Sequence, residues 1–154
     1  MLVSDALKGA VASTLGRVVA GDDGAYVAGV ASVAGHAYPA QKGFRGGKGV
    51  ATSVGTAAVC MPAYAPLDVA IAGASYMSAS RANGVGDHRD TGVPAWVGTF
   101  VASAVFVLTA VVTWRLRWRA LWGPKPSALL PVYALLVSGV ILVRFLSARS
   151  AGRE

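Results

Sequence analysis

The chain of 154 residues is long enough for one domain, and 55% of it is hydrophobic while only 14% is charged. A water-soluble domain carries about 25% charged residues, so this composition argues against a soluble enzyme and for an integral membrane protein. The net charge of +7 would suggest nucleic acid in a soluble protein. Here the cations stand in loops and flanks, as membrane topology requires, and no nucleic-acid partner is expected.

Met1 to Ala20 is weakly amphipathic, with Asp5, Lys8 and Arg17 among small apolar residues. It reads as a short helix lining a bundle. Met1 to Lys8 lacks a basic region followed by an apolar block, so no secretory signal is expected there. Gly21-Asp22-Asp23-Gly24 is a turn. Tyr26 to Ala34 is an apolar short span ending near Gly35-His36.

Residues 35–52, GHAYPAQKGFRGGKGVAT, carry the densest functional signal. Gly46, Gly47 and Gly49 let the backbone bend and approach a ligand closely. Lys42, Arg45 and Lys48 set cations at close intervals beside them, and Val50-Ala51-Thr52 begins a helix-compatible run. Glycine freedom, clustered cations and backbone N–H groups at a helix start together make a phosphate cradle. Lys48 is the leading cation because it lies within the loop. Arg45 is open to binding lipid phosphates instead, and His36 to either packing or ligand contact.

Gly49 to Ser80 is long and apolar but interrupted by Pro62 and Pro66. It reads either as one kinked crossing or as two short helices that dip in and return. Asp68 within it is expected to face the protein interior. Cys60 is the single cysteine, which leaves no intrachain disulfide and a packing role. Arg81 to Gly92 is a polar loop, where Asp87, His88, Arg89 and Asp90 read as solvated rather than catalytic.

Pro94 to Trp114 has no ionisable side chain and at about 1.5 Å per residue can cross a core of about 30 Å. Arg115, Arg117, Trp118, Arg119 and Trp122 form a basic-aromatic flank. Ser127 to Phe145 is the last span, and residues 144–154 a polar tail. The fold class that follows is all-α: one polytopic membrane helix bundle, 1–154, with short and re-entrant-type helices.

Gly35-His36-Ala37-Tyr38-Pro39 followed by Phe44-Arg45-Gly46-Gly47-Lys48-Gly49-Val50-Ala51-Thr52 closely resembles the G-H-x-F-P and F-K-G-G-K-G-V-A-T motif of the bacterial acyl-phosphate:glycerol-3-phosphate acyltransferases (PlsY). Asp5-Ala6-Leu7-Lys8-Gly9 is similar to the D-x-x-K-G that precedes it in that family. The resemblance implies a multi-pass enzyme of the bacterial plasma membrane. Such an enzyme moves a fatty acyl group from acyl phosphate to glycerol 3-phosphate, giving lysophosphatidic acid for phospholipid synthesis. It implies that Gly46, Gly47, Lys48 and Gly49 wrap the substrate phosphate, with His36 and Thr52 nearby. Lys42, Arg45 and Arg81 join the substrate site on this reading, and Lys48 and His36 are the residues expected to act in catalysis.

The expected partners are glycerol 3-phosphate, acyl phosphate and membrane lipids, and no cofactor or metal. An acyl phosphate is already activated. The sequence has no H-x(4)-D pair, no Ser/His/Asp set and no metal-ligand cluster.

The chain departs from the family pattern in three places. The S-G-N-x-G-A-T-N motif and first helix expected before Asp5 are absent from it, as in an N-terminally truncated or divergent member. Arg81-Ala82-Asn83-Gly84-Val85-Gly86-Asp87 keeps the Arg of R-Y-x-S-L-x-S without its serines. The C-terminal motif survives as Arg144, Arg149, Gly152 and Glu154. The alternative these losses raise is a decayed, non-catalytic paralogue that binds a phosphate or headgroup without turnover. The family topology places loops 42–48 and 81–92 and the tail after Arg144 in the cytoplasm. Gly49 to Ser80 must then dip in and return, which sends Arg115 to Lys125 outside.

Overall fold

The computed structural model describes residues 2–44, 46–62, 64, 66–67, 70, 95–118 and 122–150. All the regular elements among them are helical: α1 (Leu2–Ala37), a short 3-10 turn (Ala40–Lys42), α2 (Val50–Cys60), α3 (Ala95–Arg115) and α4 (Leu129–Ser150).

α1 is one element in sequence and two in space. At Ala20 (φ −127°) and Gly21 (φ 71°, ψ −163°) the backbone leaves helical geometry. Positive φ with ψ near 180° is open in practice only to glycine. The break sits at the start of the expected Gly21–Gly24 turn, and the helix resumes through that turn. The two arms fold back on each other as an antiparallel hairpin. Gly16 and Gly24 meet where they cross, and a Cβ on either would run into the other's carbonyl oxygen. Ser13 faces Gly29, and Asp5 faces His36 near the open end.

α2 lies against both arms, again through glycine. A Cβ at Gly55 would strike the Ala6 carbonyl and one at Gly9 the Thr52 carbonyl, while one at Gly29, on the second arm, would touch Thr56 of α2 and run into the Tyr133 ring of α4. Such backbone approach is how small residues let helices associate in lipid. The buried centre is aromatic: Tyr64, Phe106, Tyr133 and Tyr26 follow one another at ring-centroid distances of 5.0, 5.9 and 5.8 Å. The Tyr133 hydroxyl lies 2.6 Å from Thr56 Oγ1, so these two hydroxyls, one from α4 and one from α2, satisfy each other.

Contacts between chain segments distinguish the two ends of the bundle. At one, Trp122 Nε1 donates to the Ala58 carbonyl at 3.0 Å, Tyr26 OH to the Lys125 carbonyl at 3.2 Å and Ser127 Oγ to Asp23 Oδ1 at 2.7 Å. The α3–α4 connection therefore lies over the hairpin turn and the tail of α2. At the other end are Asp5, His36, the glycine loop, the start of α2 and the last turns of α4.

α3 matches the expected Pro94–Trp114 span closely. α4 begins two residues later than the expected span and runs on to Ser150, so the residues from Arg144 read as a polar tail are helical that far. The run from Gly49 is not one continuous helix. α2 has 11 residues, about 16 Å of rise, and stops at Met61 (φ −142°, ψ 66°) ahead of Pro62. Proline disfavours the helical conformation in the residue before it, so Pro62 rather than Pro66 sets the break. Asp68 and the stretch 71–94 lie outside the described residues.

Among the described residues one helix is long and apolar enough to cross a membrane: Leu129–Ser147, with mean hydropathy 2.2. Outward-facing Leu7, Val11, Leu15, Phe100, Leu108, Leu135 and Val143 remain exposed.

Gly55→Ala is expected to destabilise the bundle by about 1–3 kcal/mol, because its methyl has no room against Ala6. Gly139→Ala, in α4 with nothing within 4 Å, is expected to be neutral or to stabilise by up to about 1 kcal/mol. Thermal unfolding of both variants in detergent checks the pair. A Gly55→Ala midpoint at or above that of the parent contradicts this packing.

Candidate functional site

The site begins where α1 ends. Tyr38 N–H still donates to the Ala34 carbonyl at 2.8 Å, but Pro39 offers no donor and the helix stops. The chain turns through Ala40–Lys42, and Gly43 and Phe44 both take positive φ, 57° and 61°. Phe44 N–H closes the turn on the Pro39 carbonyl at 3.0 Å. Positive φ at a phenylalanine is costly, so this reversal is imposed by its surroundings.

The returning strand passes tightly under His36. A Cβ at Gly46 would meet the His36 carbonyl and the Pro39 ring, and one at Gly47 the His36 Nε2. Glycine is thus required by the backbone at Gly46, while at Gly47 a methyl group would have to displace the imidazole. Gly49, with φ 80°, then starts α2 and supplies no capping side chain. The first N–H groups of that helix are left for water or an anion. Within the first turn the Thr52 hydroxyl is buried without a hydrogen-bond partner.

Charge converges on this strand from three parts of the chain. Arg144, in the last turns of α4, donates from Nη2 to the Gly46 carbonyl at 2.6 Å, with its guanidinium 5.1 Å from the Tyr38 ring centre. Lys48 Nζ stands 4.5 Å from the centre of the Phe145 ring. From the first arm, Asp5 Oδ1 lies 3.3 Å from Lys8 Nζ and 3.6 Å from His36 Nδ1. Lys8, Lys48 and Arg144 thus outnumber Asp5, the one carboxylate among the described residues at this end of the bundle. Such an excess of donors and positive charge favours an anion.

His36, Gly46, Gly47, Lys48, Gly49 and Thr52 lie together between the end of α1 and the first turn of α2. Lys42 is placed on the 3-10 turn before the strand. Arg45 and Arg81 lie outside the described residues. Sequence reasoning gave no site role to Asp5, Lys8, Tyr38, Arg144 or Phe145. A signal for Arg144 was present, since a lone cation in the apolar run from Leu129 needs a partner. The Asp5–Lys8 spacing was also visible, but nothing local tied it to residue 36. No cluster of metal-ligating side chains occurs among the described residues.

A profile of glycerol-3-phosphate acyltransferases matches residues 1–149. The chain belongs to the glycerol-3-phosphate acyltransferase family. Among curated relatives of that name, one from Thermoanaerobacter sp. (strain X514) is 45% identical over 67 residues, which are 44% of this chain and 34% of that protein. One from Jannaschia sp. (strain CCS1) is 54% identical over 55 residues, 36% of this chain and 27% of the relative. One from Dinoroseobacter shibae is 53% identical over 55 residues, again 36% and 27%. The matched stretch thus spans about a third or less of these relatives' length. No solved structure matches the chain.

Gly47→Ala is expected to push the His36 imidazole out of place at a cost of about 1–3 kcal/mol. Gly35→Ala, one residue from His36 and with open space around it, should leave the ring where it is. Histidine ring resonances in ¹³C-labelled protein check this. Unchanged His36 signals in Gly47→Ala contradict the placement of the loop.

Proposed function

We propose that this chain is a multi-pass acyltransferase of the bacterial plasma membrane, which moves a fatty acyl group from acyl phosphate to glycerol 3-phosphate. The observation that carries the reading is the Gly46–Gly49 strand itself. It passes beneath His36, leads into an uncapped helix start, carries Lys48 and takes a hydrogen bond from Arg144. Family membership supports glycerol 3-phosphate as the anion. The resemblance to the acyl-phosphate-dependent enzymes supplies the donor. Acyl phosphate carries its own leaving group, and the positive charge around the loop suits its phosphate.

In this reaction the glycerol hydroxyl oxygen bonds to the acyl carbonyl carbon, and the bond from that carbon to the phosphate oxygen breaks. Inorganic phosphate departs with the hydroxyl proton, leaving lysophosphatidic acid. Two anions must meet for this to happen. Holding them together while cations offset their charge supplies the catalysis. On this reading Lys48, and His36 facing Gly47, border the acceptor phosphate, with the buried Thr52 in the first turn of α2 beside them.

Exposed apolar faces on α1, α3 and α4 support a bundle set in lipid. The glycine loop and the end of α4 share one end, assigned here to the cytoplasm, where water-soluble glycerol 3-phosphate is reached. The α3–α4 connection, with Arg115, Arg117 and Lys125, is assigned to the outside. Loop 81–92 is placed with the glycine loop on the same reasoning, since a site built from several loops needs them on one face.

Membranes containing the chain, given radiolabelled glycerol 3-phosphate, are expected to form lysophosphatidic acid with acyl phosphate and not with acyl-CoA. Lys48→Ala should lower that rate about hundredfold or more. Turnover with acyl-CoA alone contradicts the proposal. Glycerol 3-phosphate binding with no turnover on either donor assigns the chain to a binding, non-catalytic role instead. In a Cys60→Ser background, an impermeant thiol reagent on intact cells should label Lys125→Cys and spare Gln41→Cys. The opposite pattern overturns the sidedness.

A further inference from the structure

We propose that Arg144 is a positioning residue for the anion loop, holding the Gly46 carbonyl so that the next N–H is presented to the phosphate. The inference rests on the acceptor-site reading above and adds a residue to it.

Arg144 stands on a helix whose neighbouring residues, Val140 to Val143 and Phe145 to Leu146, are apolar. A cation there is costly unless its donors are used. Its guanidinium has two uses among the described residues: the 2.6 Å hydrogen bond to Gly46 O and the ring of Tyr38. Both belong to the segment that forms the loop, 98 residues away in sequence for Gly46. A planar fork that stacks on one group while donating to another suits arginine and not lysine.

The consequence lies in the peptide plane. In a trans peptide the carbonyl and the following N–H point in opposite directions. Drawing the Gly46 carbonyl toward Arg144 turns the Gly47 N–H to the other side of the strand. It also removes from the site a carbonyl oxygen that would repel an anion. Gly46 and Gly47 lack side chains to fix their own torsions, so without an outside grip this peptide is free to flip. The adjacent contact of Lys48 with Phe145 holds the strand at a second point of the same helix turn.

The test compares Arg144→Leu, Arg144→Lys and Lys48→Ala with the parent, in full-length protein. Hydrogen exchange is followed without ligand, and binding by titration with glycerol 3-phosphate. In Arg144→Leu, exchange at the amides of residues 46–49 should rise about tenfold, with the rest of α1, α3 and α4 unchanged. Affinity for glycerol 3-phosphate should fall about tenfold. Arg144→Lys, which keeps one donor and loses the planar stack, should recover part of both. If Arg144→Leu does not fold, Arg144→Lys against the parent carries the comparison. Loop exchange at the parent's rate in the Arg144 variants overturns the inference. So does exchange that rises equally throughout the bundle, which would make Arg144 a general brace. If Lys48→Ala weakens binding and Arg144→Leu does not, the positioning role alone fails. If Lys48→Ala also binds like the parent, the acceptor-site reading fails with it.

Discussion

Backbone meets backbone throughout the first half of the chain, and the rest of the structure depends on that contact. Gly16 on Gly24 closes the α1 hairpin, and Gly9 and Gly55 bring α2 onto its first arm, leaving no volume for a methyl group. This approach sets Asp5 beside His36 and starts α2 directly under the end of α1. With one bulky residue at such a crossing, the helices would separate by several ångströms. The glycine strand would then lose the histidine it runs beneath. The same economy of volume lets a helix of 11 residues reach the core and deliver Thr56 to Tyr133.

The site is a second expression of that closeness. The candidate site is mostly main chain, and two of its three cations come from elements distant in sequence: Lys8 from the first arm, Arg144 from the last helix. Asp5 pairs with Lys8 and faces His36, which holds them without cancelling the positive balance. Lys48 and Arg144 each rest on an aromatic ring, Phe145 and Tyr38. A ring face steadies a cation while leaving its hydrogens free for a further partner.

Much of this could be read from the chain before folding. The glycine and lysine pattern at 46–49 located the loop, and the turn at Gly21 and the apolar spans before Trp114 and Phe145 located helices within a few residues. Those signals are local, carried by torsional freedom, proline and hydrophobic runs. The long apolar run after Gly49 was ambiguous because composition does not distinguish one kinked crossing from two short helices that dip in and return. Contact with the hairpin favours a short α2, and Pro62 ends it. The parts of the site left unread were all long-range. Nothing near Arg144 names Gly46 as its partner, and nothing near Asp5 names His36. Both pairings appear only once the glycine crossings have fixed which ends of the helices meet.

The loop's power to bind an anion is the claim on which the functional reading turns, and equilibrium titration tests it without needing turnover. Glycerol 3-phosphate added to the purified chain in detergent should bind at one site per molecule. Lys48→Ala should weaken that binding about thirtyfold or more, about 2 kcal/mol at the least for a cation lost from an anion site. Its thermal midpoint should stay near that of the parent, because Lys48 is exposed. Equal affinities for parent and variant would contradict the assignment of this strand as the acceptor site.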